Sequence, residues 1–158
     1  MASGKRLLRG RRGGHKAIAG LTEYVESLWV LTQNVDGFHQ AAGSPHIIPI
    51  HGDVHFLHCT VCTYEVTVEN YADLDIPPSC PECGELVRPR VVLFGERLPS
   101  RYMEELERQV YEGFDLVLSV GTTSVFPYIA APVFHARMQG KKTVEINPGR
   151  TEVSEMVD

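Results

Sequence analysis

The chain has 158 residues, 43% of them hydrophobic, which is enough material for one compact domain with a buried core. No apolar run approaches the ~20 residues that a membrane-spanning helix needs, so we expect no membrane segment. The sequence also lacks an apolar secretory stretch at its start, and a cytoplasmic protein is therefore expected.

Charge is spread unevenly along the chain, although the formal net charge is only −5. Residues 1–16 contain six of the fifteen Lys and Arg residues and no acidic side chain. A basic arm of this kind is typical of segments that contact nucleic acid or an acidic partner. Because the stretch is also rich in glycine and has no apolar periodicity, we predict that residues 1–13 form a disordered leader.

The first predicted elements are a helix and a strand. Ile18, Leu21 and Val25 recur at helical spacing, which predicts an amphipathic helix over residues 15–27. The apolar run that follows predicts a buried strand over residues 28–32.

A polar cluster lies where this strand ends. Gln33, Asn34 and Asp36 place amide and carboxylate groups within four residues, and Gly37 permits a sharp turn of the backbone. Such a cluster offers hydrogen-bonding groups to a ligand at the end of a sheet.

A second strand end brings a histidine to the same place. Residues 38–42 are predicted to form a short helix that Gly43 ends in a left-handed conformation, and residues 47–50 form a strand that leads into His51. Open α/β sheets bind ligands in crevices outside the carboxyl ends of their strands. We therefore expect His51 and the polar cluster to surround one crevice.

These residues resemble a known family. The run over residues 32–43 reads Thr-Gln-Asn-Val-Asp-Gly-Phe-His-Gln-Ala-Ala-Gly, and His51-Gly52 follows it eight residues later. Taken singly, a strand-end Asn or Asp is usually a turn former. The ordered combination resembles the sirtuins, the NAD-dependent protein-lysine deacylases.

The resemblance implies roles for the crevice residues. Asn34 and Asp36 would orient the nicotinamide and its ribose, and Gln33 would bind the ribose hydroxyls. His51 would be the general base. Asp53 departs from the family, which more often has Ser or Glu there, and we expect it to change the local charge near His51.

The cysteines predict a metal site. Two Cys-x-x-Cys pairs are separated by 17 residues, the spacing of a zinc ribbon, and consist of Cys59, Cys62, Cys80 and Cys83. Disulfides are the alternative, but they require an oxidising compartment that nothing in the sequence indicates. Four protein ligands leave no open position, so the zinc would be structural. Sirtuins carry a four-cysteine zinc module at this point of the chain.

A strand is predicted next, over residues 88–96, with the sequence Arg-Pro-Arg-Val-Val-Leu-Phe-Gly-Glu. It is similar to the sirtuin segment that pairs with the substrate peptide by β-augmentation. The resemblance implies that the Val92 carbonyl accepts the acyl-lysine Nε–H and that Phe94 lines the acyl tunnel. The substrate-binding residues it implies are Val92, Leu93, Phe94, Gly95 and Glu96.

The remaining chain predicts a second pair of strand ends. A helix over residues 100–112, a strand over 114–120, a helix ending at Met138 and a strand over 143–148 follow in order. A Gly/Thr/Ser turn between a strand and a helix offers N–H groups to a phosphate. By resemblance to the sirtuin Gly-Thr-Ser loop, the cofactor-binding residues here are Gly121, Thr122, Thr123, Ser124 and Asn147.

The predicted fold class is α/β, a Rossmann-like parallel sheet with a small inserted zinc-ribbon module. The NAD-binding domain would comprise residues 14–53 and 89–158, and the zinc module residues 54–88. Sirtuins have a Gly-Ala-Gly-x-Ser phosphate loop in a first βαβ unit that this sequence does not contain. We therefore expect an NAD-binding domain that is incomplete at both ends.

The resemblance implies an NAD-dependent deacylase that transfers the acyl group from lysine to ADP-ribose and releases nicotinamide. Its cofactors would be NAD and structural Zn²⁺, and its partner an acylated-lysine protein or peptide. Two alternatives stay open, a catalytically inactive sirtuin fragment and a non-catalytic zinc-ribbon binding module. Residues 54–87 contain no Lys or Arg, so binding of nucleic acid by the ribbon is not expected.

Overall fold

The computed structural model describes residues 13–158, and all but the last residue of the predicted disordered leader lies outside them. The helices are α1 (residues 13–20), a short 3₁₀ helix (Leu21–Glu23), α2 (Phe38–Ala42), α3 (Ser100–Glu112) and α4 (Pro127–Met138). The strands are β1 (Trp29–Thr32), β2 (His46–Pro49), β3 (Gly52–Cys59), β4 (Glu65–Thr67), β5 (Val87–Val91), β6 (Leu116–Val120) and β7 (Lys142–Ile146).

The chain divides into two compact units, one ending at Tyr102 and the other running from Met103 to Asp158. The first unit contains the parallel pair β1–β2 and a three-stranded antiparallel sheet with the order β4–β3–β5. The second unit contains the parallel pair β6–β7. The α/β class with parallel strand pairs is confirmed, while the predicted domain boundaries stay a prediction.

The β1–β2 pair is buried where its strands approach their carboxyl ends. Val30 and Thr32 of β1 and Ile48 of β2 are at most 9% exposed, and Ile50, just after β2, is 0% exposed. The amide N–H of Ile50 donates to the Thr32 carbonyl at 3.1 Å, so the pairing continues past the end of β2. This packing fixes the direction in which the chain leaves both strands.

The antiparallel sheet was only partly predicted. Strand β3 is eight residues long, and the sequence prediction left it out; its signal was the apolar and aromatic content of Val54, Phe56 and Leu57. Its pairing with β5 breaks between Asp53 and Leu57, where β3 contains a bulge. Strand β3 thus runs continuously from the His51 region into the cysteine cluster.

The second unit packs α4 against one face of the β6–β7 pair. Ile129, Val133 and Ala136 of α4 are buried, as are Ser119 and Thr143 of the two strands. None of the helices within residues 13–158 is both long enough and apolar enough to cross a membrane.

The predicted helix over residues 15–27 was too long. α1 passes into a 3₁₀ turn at Leu21, and the regular helix has ended before Tyr24, which is 81% exposed. The Thr22 hydroxyl donates to the Ala19 carbonyl at 2.8 Å and so competes for an acceptor of the helix. β-Branched and aromatic residues at 22, 24 and 25 also have low helix propensity, and the periodicity alone did not reveal this.

The backbones of β3 and β5 approach so closely at Gly52 that no other residue fits. Gly52 has φ +85°, and a Cβ built there would lie 1.9 Å from the Arg90 carbonyl oxygen. We expect Gly52→Ala to force β5 away from β3, because the clash is with backbone and a rotamer change cannot relieve it.

Gly43→Ala is the matched control, since Gly43 has φ +88° and a Cβ added there would meet nothing within 4 Å. Strain alone should cost this control about 1–2 kcal/mol of unfolding free energy. Gly52→Ala should lose a further ~1–3 kcal/mol in chemical denaturation. Equal losses in the two variants would show that the close approach is not a constraint.

Candidate active site and metal centre

The first predicted crevice is formed by the carboxyl ends of β1 and β2. The two strands are parallel neighbours, with Thr32 opposite Pro49 in the register. Gln33, Asn34 and Asp36 therefore leave the sheet at the same end as His51. The structure thus places these residues at one edge of the sheet, although about fifteen residues separate His51 from the polar cluster in the sequence.

The loop after β1 is shaped by its own polar groups. The Thr32 hydroxyl accepts a hydrogen bond from the Asn34 N–H at 3.1 Å, and the Asp36 carboxylate accepts one from the Phe38 N–H at 3.1 Å. Gly37 makes the turn into α2 with φ +68°. Asn34 is exposed, while Asp36 uses one carboxylate oxygen to begin the helix.

The β5 segment lies directly beside His51. The Val92 N–H donates to the His51 carbonyl at 2.9 Å, which continues the β3–β5 pairing past Val91. The predicted substrate-binding segment and the predicted general base are thus adjacent, although 41 positions separate them in the sequence.

The turn at residues 93–96 is held by an ion pair. Arg88 donates to both carboxylate oxygens of Glu96, at 2.7 and 3.2 Å, and also to the Val91 carbonyl at 2.9 Å. Glu96 in turn accepts from the Leu93 N–H at 2.9 Å. The Arg88 hydrogen bonds lower the pKa of the Glu96 carboxyl to about 2. Glu96 therefore braces the turn that carries Phe94 and Gly95.

The Phe94 side chain is fully exposed, and Leu93 is more than half exposed. The part of the chain that the structure describes therefore builds no wall around the Phe94 ring. Its predicted place in an acyl tunnel stays a prediction.

The predicted cofactor-binding residues of the second unit lie after β6 and β7, which are parallel neighbours. The Gly121 N–H donates to the Ile146 carbonyl at 2.9 Å, and the Asn147 amide donates to the Thr122 carbonyl at 2.8 Å. The structure thus joins the Gly-Thr-Thr-Ser loop to Asn147. Thr123 is exposed, and its carbonyl accepts from the Glu152 N–H at 3.2 Å.

Ser124 is the unusual residue of this loop. It has φ +56°, a region that non-glycine residues rarely occupy, and it is 2% exposed. Its hydroxyl oxygen is buried and has no hydrogen-bond partner among the described residues. A buried, unsatisfied hydroxyl at a strand end is consistent with a site that receives a polar ligand.

The cysteines form a compact cluster. The four Sγ atoms of Cys59, Cys62, Cys80 and Cys83 all lie within 4.8 Å of one another, and none is in a disulfide. Neighbouring sulfurs are 3.5–3.6 Å apart, much longer than an S–S bond of about 2.05 Å. This excludes the disulfide alternative in this structure.

The donor set fits a structural Zn²⁺. Four thiolates about 2.3 Å from a central ion lie roughly 3.8 Å from one another in a tetrahedron, which is close to the spacing here. The N–H groups of Val61 and Cys62 both point at the Cys59 sulfur, at 3.4 Å. These hydrogen bonds, chiefly the one from the Cys62 N–H, lower the pKa of the Cys59 thiol to about 6.

Gln40 and His55, which no sequence motif singles out, lie near the end of β2. Both contact Asp53, which is buried: its carboxylate accepts from the ring Nδ1 of His55 at 2.8 Å and from the Gln40 amide at 3.1 Å. The expected effect of Asp53 on the charge near His51 stays a prediction, because these side-chain bonds go to His55 and Gln40. No local sequence pattern joins residues 40, 53 and 55.

Metal analysis should find one Zn²⁺ per chain. Cys59→Ser should lose the metal and much of the stability, because metal binding to such a site is part of the folding free energy. Thr63→Ser, an exposed neighbour, is the control and should keep its zinc. A chain that folds equally well without metal would contradict a structural role.

The lowered pKa of His39 predicts that the chain loses stability in mild acid. Burial lowers its pKa below the ordinary 6.5, nearby His15 lowers it further, and Asp36 opposes both. Below pH 6.5 the unfolded chain therefore binds more protons at this residue, and stability falls as the pH falls.

His39→Leu should remove this part of the pH dependence. Unfolding free energies measured from pH 7.5 to 5.5 should show the wild type losing stability relative to the variant. His135→Leu, at an exposed histidine of α4, is the control for loss of an imidazole. Parallel pH curves for wild type and His39→Leu would refute the prediction.

Comparison with known proteins identifies relatives of this chain. It is 48% identical over 159 residues to NAD-dependent protein deacylase 2 of Pseudomonas aeruginosa, covering 98% of this chain and 62% of that protein. It is 39% identical over 140 residues to NAD-dependent protein deacylase 1 of Caldanaerobacter subterraneus, covering 89% and 57%. The chain thus spans about three fifths of the length of these relatives.

Solved structures agree with the sequence comparison. A Sir2 homologue in complex with NAD superposes with a TM-score of 0.80 at 36% identity, covering 91% of this chain and 56% of that chain. A Sir2 complex with a p53 peptide and NAD⁺ gives 0.78 at 33% identity, covering 90% and 60%. The model of the Sir2 family matches residues 10–127. The chain therefore belongs to the Sir2 family, the sirtuins.

Proposed function

We propose that this chain functions as an NAD-dependent protein deacylase. Such an enzyme transfers an acyl group from lysine to ADP-ribose and releases nicotinamide. The observation that carries the proposal is the 2.9 Å hydrogen bond from the Val92 N–H to the His51 carbonyl. It fixes the end of a strand suited to bind a peptide beside the histidine suited to act as a base. The relatives named as deacylases support the same activity.

The substrate is an acylated lysine in an extended peptide. Strand β5 ends at Val91, and an extended peptide can add a strand beside the backbone that follows. The Val92 carbonyl would accept the acyl-lysine Nε–H, with Leu93, Phe94 and Gly95 beside the acyl group. Glu96 acts through its ion pair with Arg88, which sets the shape of this turn. The neighbour solved with a p53 peptide supports a peptide substrate.

The residues that would hold NAD lie at the ends of two strand pairs. At the end of β1 they are Gln33, Asn34 and Asp36. At the ends of β6 and β7 they are Gly121, Thr122, Thr123, Ser124 and Asn147. The unsatisfied Ser124 hydroxyl fits this role, since a bound ligand would supply its missing partner. When bound, NAD supplies the anomeric carbon that accepts the acyl oxygen and nicotinamide as the leaving group.

His51 acts as the general base. Its ring would accept the proton of a ribose hydroxyl of the bound cofactor, the role of a general base in an acyl transfer. An imidazole suits this step because its ordinary pKa lies near neutral pH. Asn34 and Asp36 orient the groups that react, and no side chain of the chain has to become a covalent nucleophile.

A zinc-ribbon binding module is the second candidate, and the charge of residues 54–87 disfavours a nucleic-acid partner. This range has six acidic side chains and no Lys or Arg. A phosphate backbone requires cationic contacts. No membrane partner is proposed, and the cytoplasmic location stays a prediction.

His51→Ala should reduce product formation by about 10²–10⁴-fold, the usual contribution of a general base. The assay follows deacetylated peptide and nicotinamide together, because the base acts after nicotinamide leaves. It is run on this chain alone and with the unmatched remainder of the Pseudomonas aeruginosa relative attached, since the chain spans 62% of that protein.

His39→Ala is the matched histidine control, and both variants should retain zinc. Loss of turnover in His39→Ala but not in His51→Ala would overturn the assignment of the base. Absence of NAD-dependent deacylation from both forms of the wild type would overturn the proposed activity and favour the inactive fragment.

A further inference from the structure

The Asp53 carboxylate is almost completely buried, and its hydrogen bonds come from two residues, His55 and Gln40. Asp53 is only 5% exposed, and both of its carboxylate oxygens accept hydrogen bonds. Oδ1 accepts from the backbone N–H and the ring Nδ1 of His55, each at 2.8 Å, and Oδ2 accepts from the Gln40 amide at 3.1 Å. Because a carboxylate oxygen only accepts here, the Nδ1 atom of His55 carries the proton.

These residues lie in the β-bulge of β3. Between Asp53 and Leu57 the pairing with β5 is interrupted, and the bulged residues bond elsewhere. The Val54 N–H donates to the Val35 carbonyl, and the His55 carbonyl accepts from the Val68 N–H, both at 2.9 Å. The Tyr71 hydroxyl donates to the Val54 carbonyl. The bulge therefore joins the loop after β1 on one side to the zinc module on the other.

The loop rests directly on this pair of side chains. A Cβ placed on Gly37 would lie 2.9 Å from His55 Nδ1 and 3.4 Å from Asp53 Oδ2. The backbone at Gly37 thus approaches the imidazole ring and the carboxylate closely enough that no side chain fits between them. Gly37 is the turn that directly follows Asp36.

We propose that Asp53 and His55 are positioning residues, which hold the Gln33–Gly37 loop in the shape that presents Asn34 and Asp36. Three links carry the constraint: the Gly37 contact, the Val54–Val35 hydrogen bond and the Gln40–Asp53 hydrogen bond. Through Val68 and Tyr71 the same residues make the loop depend on the zinc module. The consequence for catalysis rests on the proposed deacylase function, whereas the effect on the loop does not.

The test compares His55→Ala with His55→Asn. Alanine removes the donor to Asp53 and the ring beneath Gly37, whereas the asparagine amide can donate from the position of Nδ1. Asp53→Asn removes the carboxylate instead, and Asp73→Asn, at an exposed carboxylate of the zinc module, is the control. Zinc content is measured in every variant, so that general misfolding is recognised.

Amide hydrogen exchange reports the loop directly. The Phe38 N–H is bonded to Asp36, and the Val54 N–H to Val35, so both sense the shape of the loop. Their exchange should become about tenfold faster in His55→Ala and Asp53→Asn, the effect of losing one hydrogen bond to a charged group. His55→Asn should restore most of the protection, and Asp73→Asn should not change it.

Turnover of acetylated peptide and NAD gives the second readout. His55→Ala should lower kcat and leave KM for the peptide unchanged, because Val92 and the Arg88–Glu96 pair are untouched. Unchanged exchange in both His55→Ala and Asp53→Asn would overturn the positioning role, whatever the activity. If the wild type does not turn over, the proposed function fails, and the exchange data still decide the positioning role. Equal loss of protection in His55→Asn and His55→Ala would also overturn it.

Discussion

The close approach of the β3 and β5 backbones at Gly52 determines the geometry of the first unit. A side chain at this position would overlap the Arg90 carbonyl, so the two strands can lie at this distance only with glycine between them. The approach allows the Val92 N–H to reach the His51 carbonyl. The pairing of His51 with Gly52 in the sequence therefore has a structural reason, since the glycine lets the segment after β5 lie beside the histidine.

Both sets of predicted site residues depend on the same property of parallel strands. Neighbouring parallel strands end at the same edge of a sheet. The residues that follow them therefore become neighbours in space although they are far apart in the sequence. In the first unit the amide and acidic side chains after β1 lie at the same edge as His51 after β2. In the second unit the loop after β6 is bonded to Asn147 after β7. Such an arrangement brings polar groups to a ligand while the apolar residues of the strands stay packed.

Two acidic residues near the predicted site, Glu96 and Asp53, form their hydrogen bonds with other residues of the chain. Glu96 is bound by Arg88 and by the Leu93 amide, and Asp53 by His55 and Gln40. Saturated carboxylates of this kind hold a turn or loop in one conformation, and pre-organised groups need less rearrangement when a substrate binds. Glu96 and Asp53 therefore stabilise the turn and the loop that carry the predicted site residues.

The sequence by itself determined the family, the cysteine ligand set and the bounds of α2 and α3. These features depend on short-range patterns, such as a glycine at each end of residues 38–42 or two Cys-x-x-Cys pairs. Only the tertiary structure decided the bulged strand β3, the exposure of Phe94 and the contacts of Asp53. The reason is physical: each of these depends on pairing or packing between segments far apart in the chain. Asp53 illustrates this, because Gln40 reaches its carboxylate only after β1, α2 and β2 have packed together.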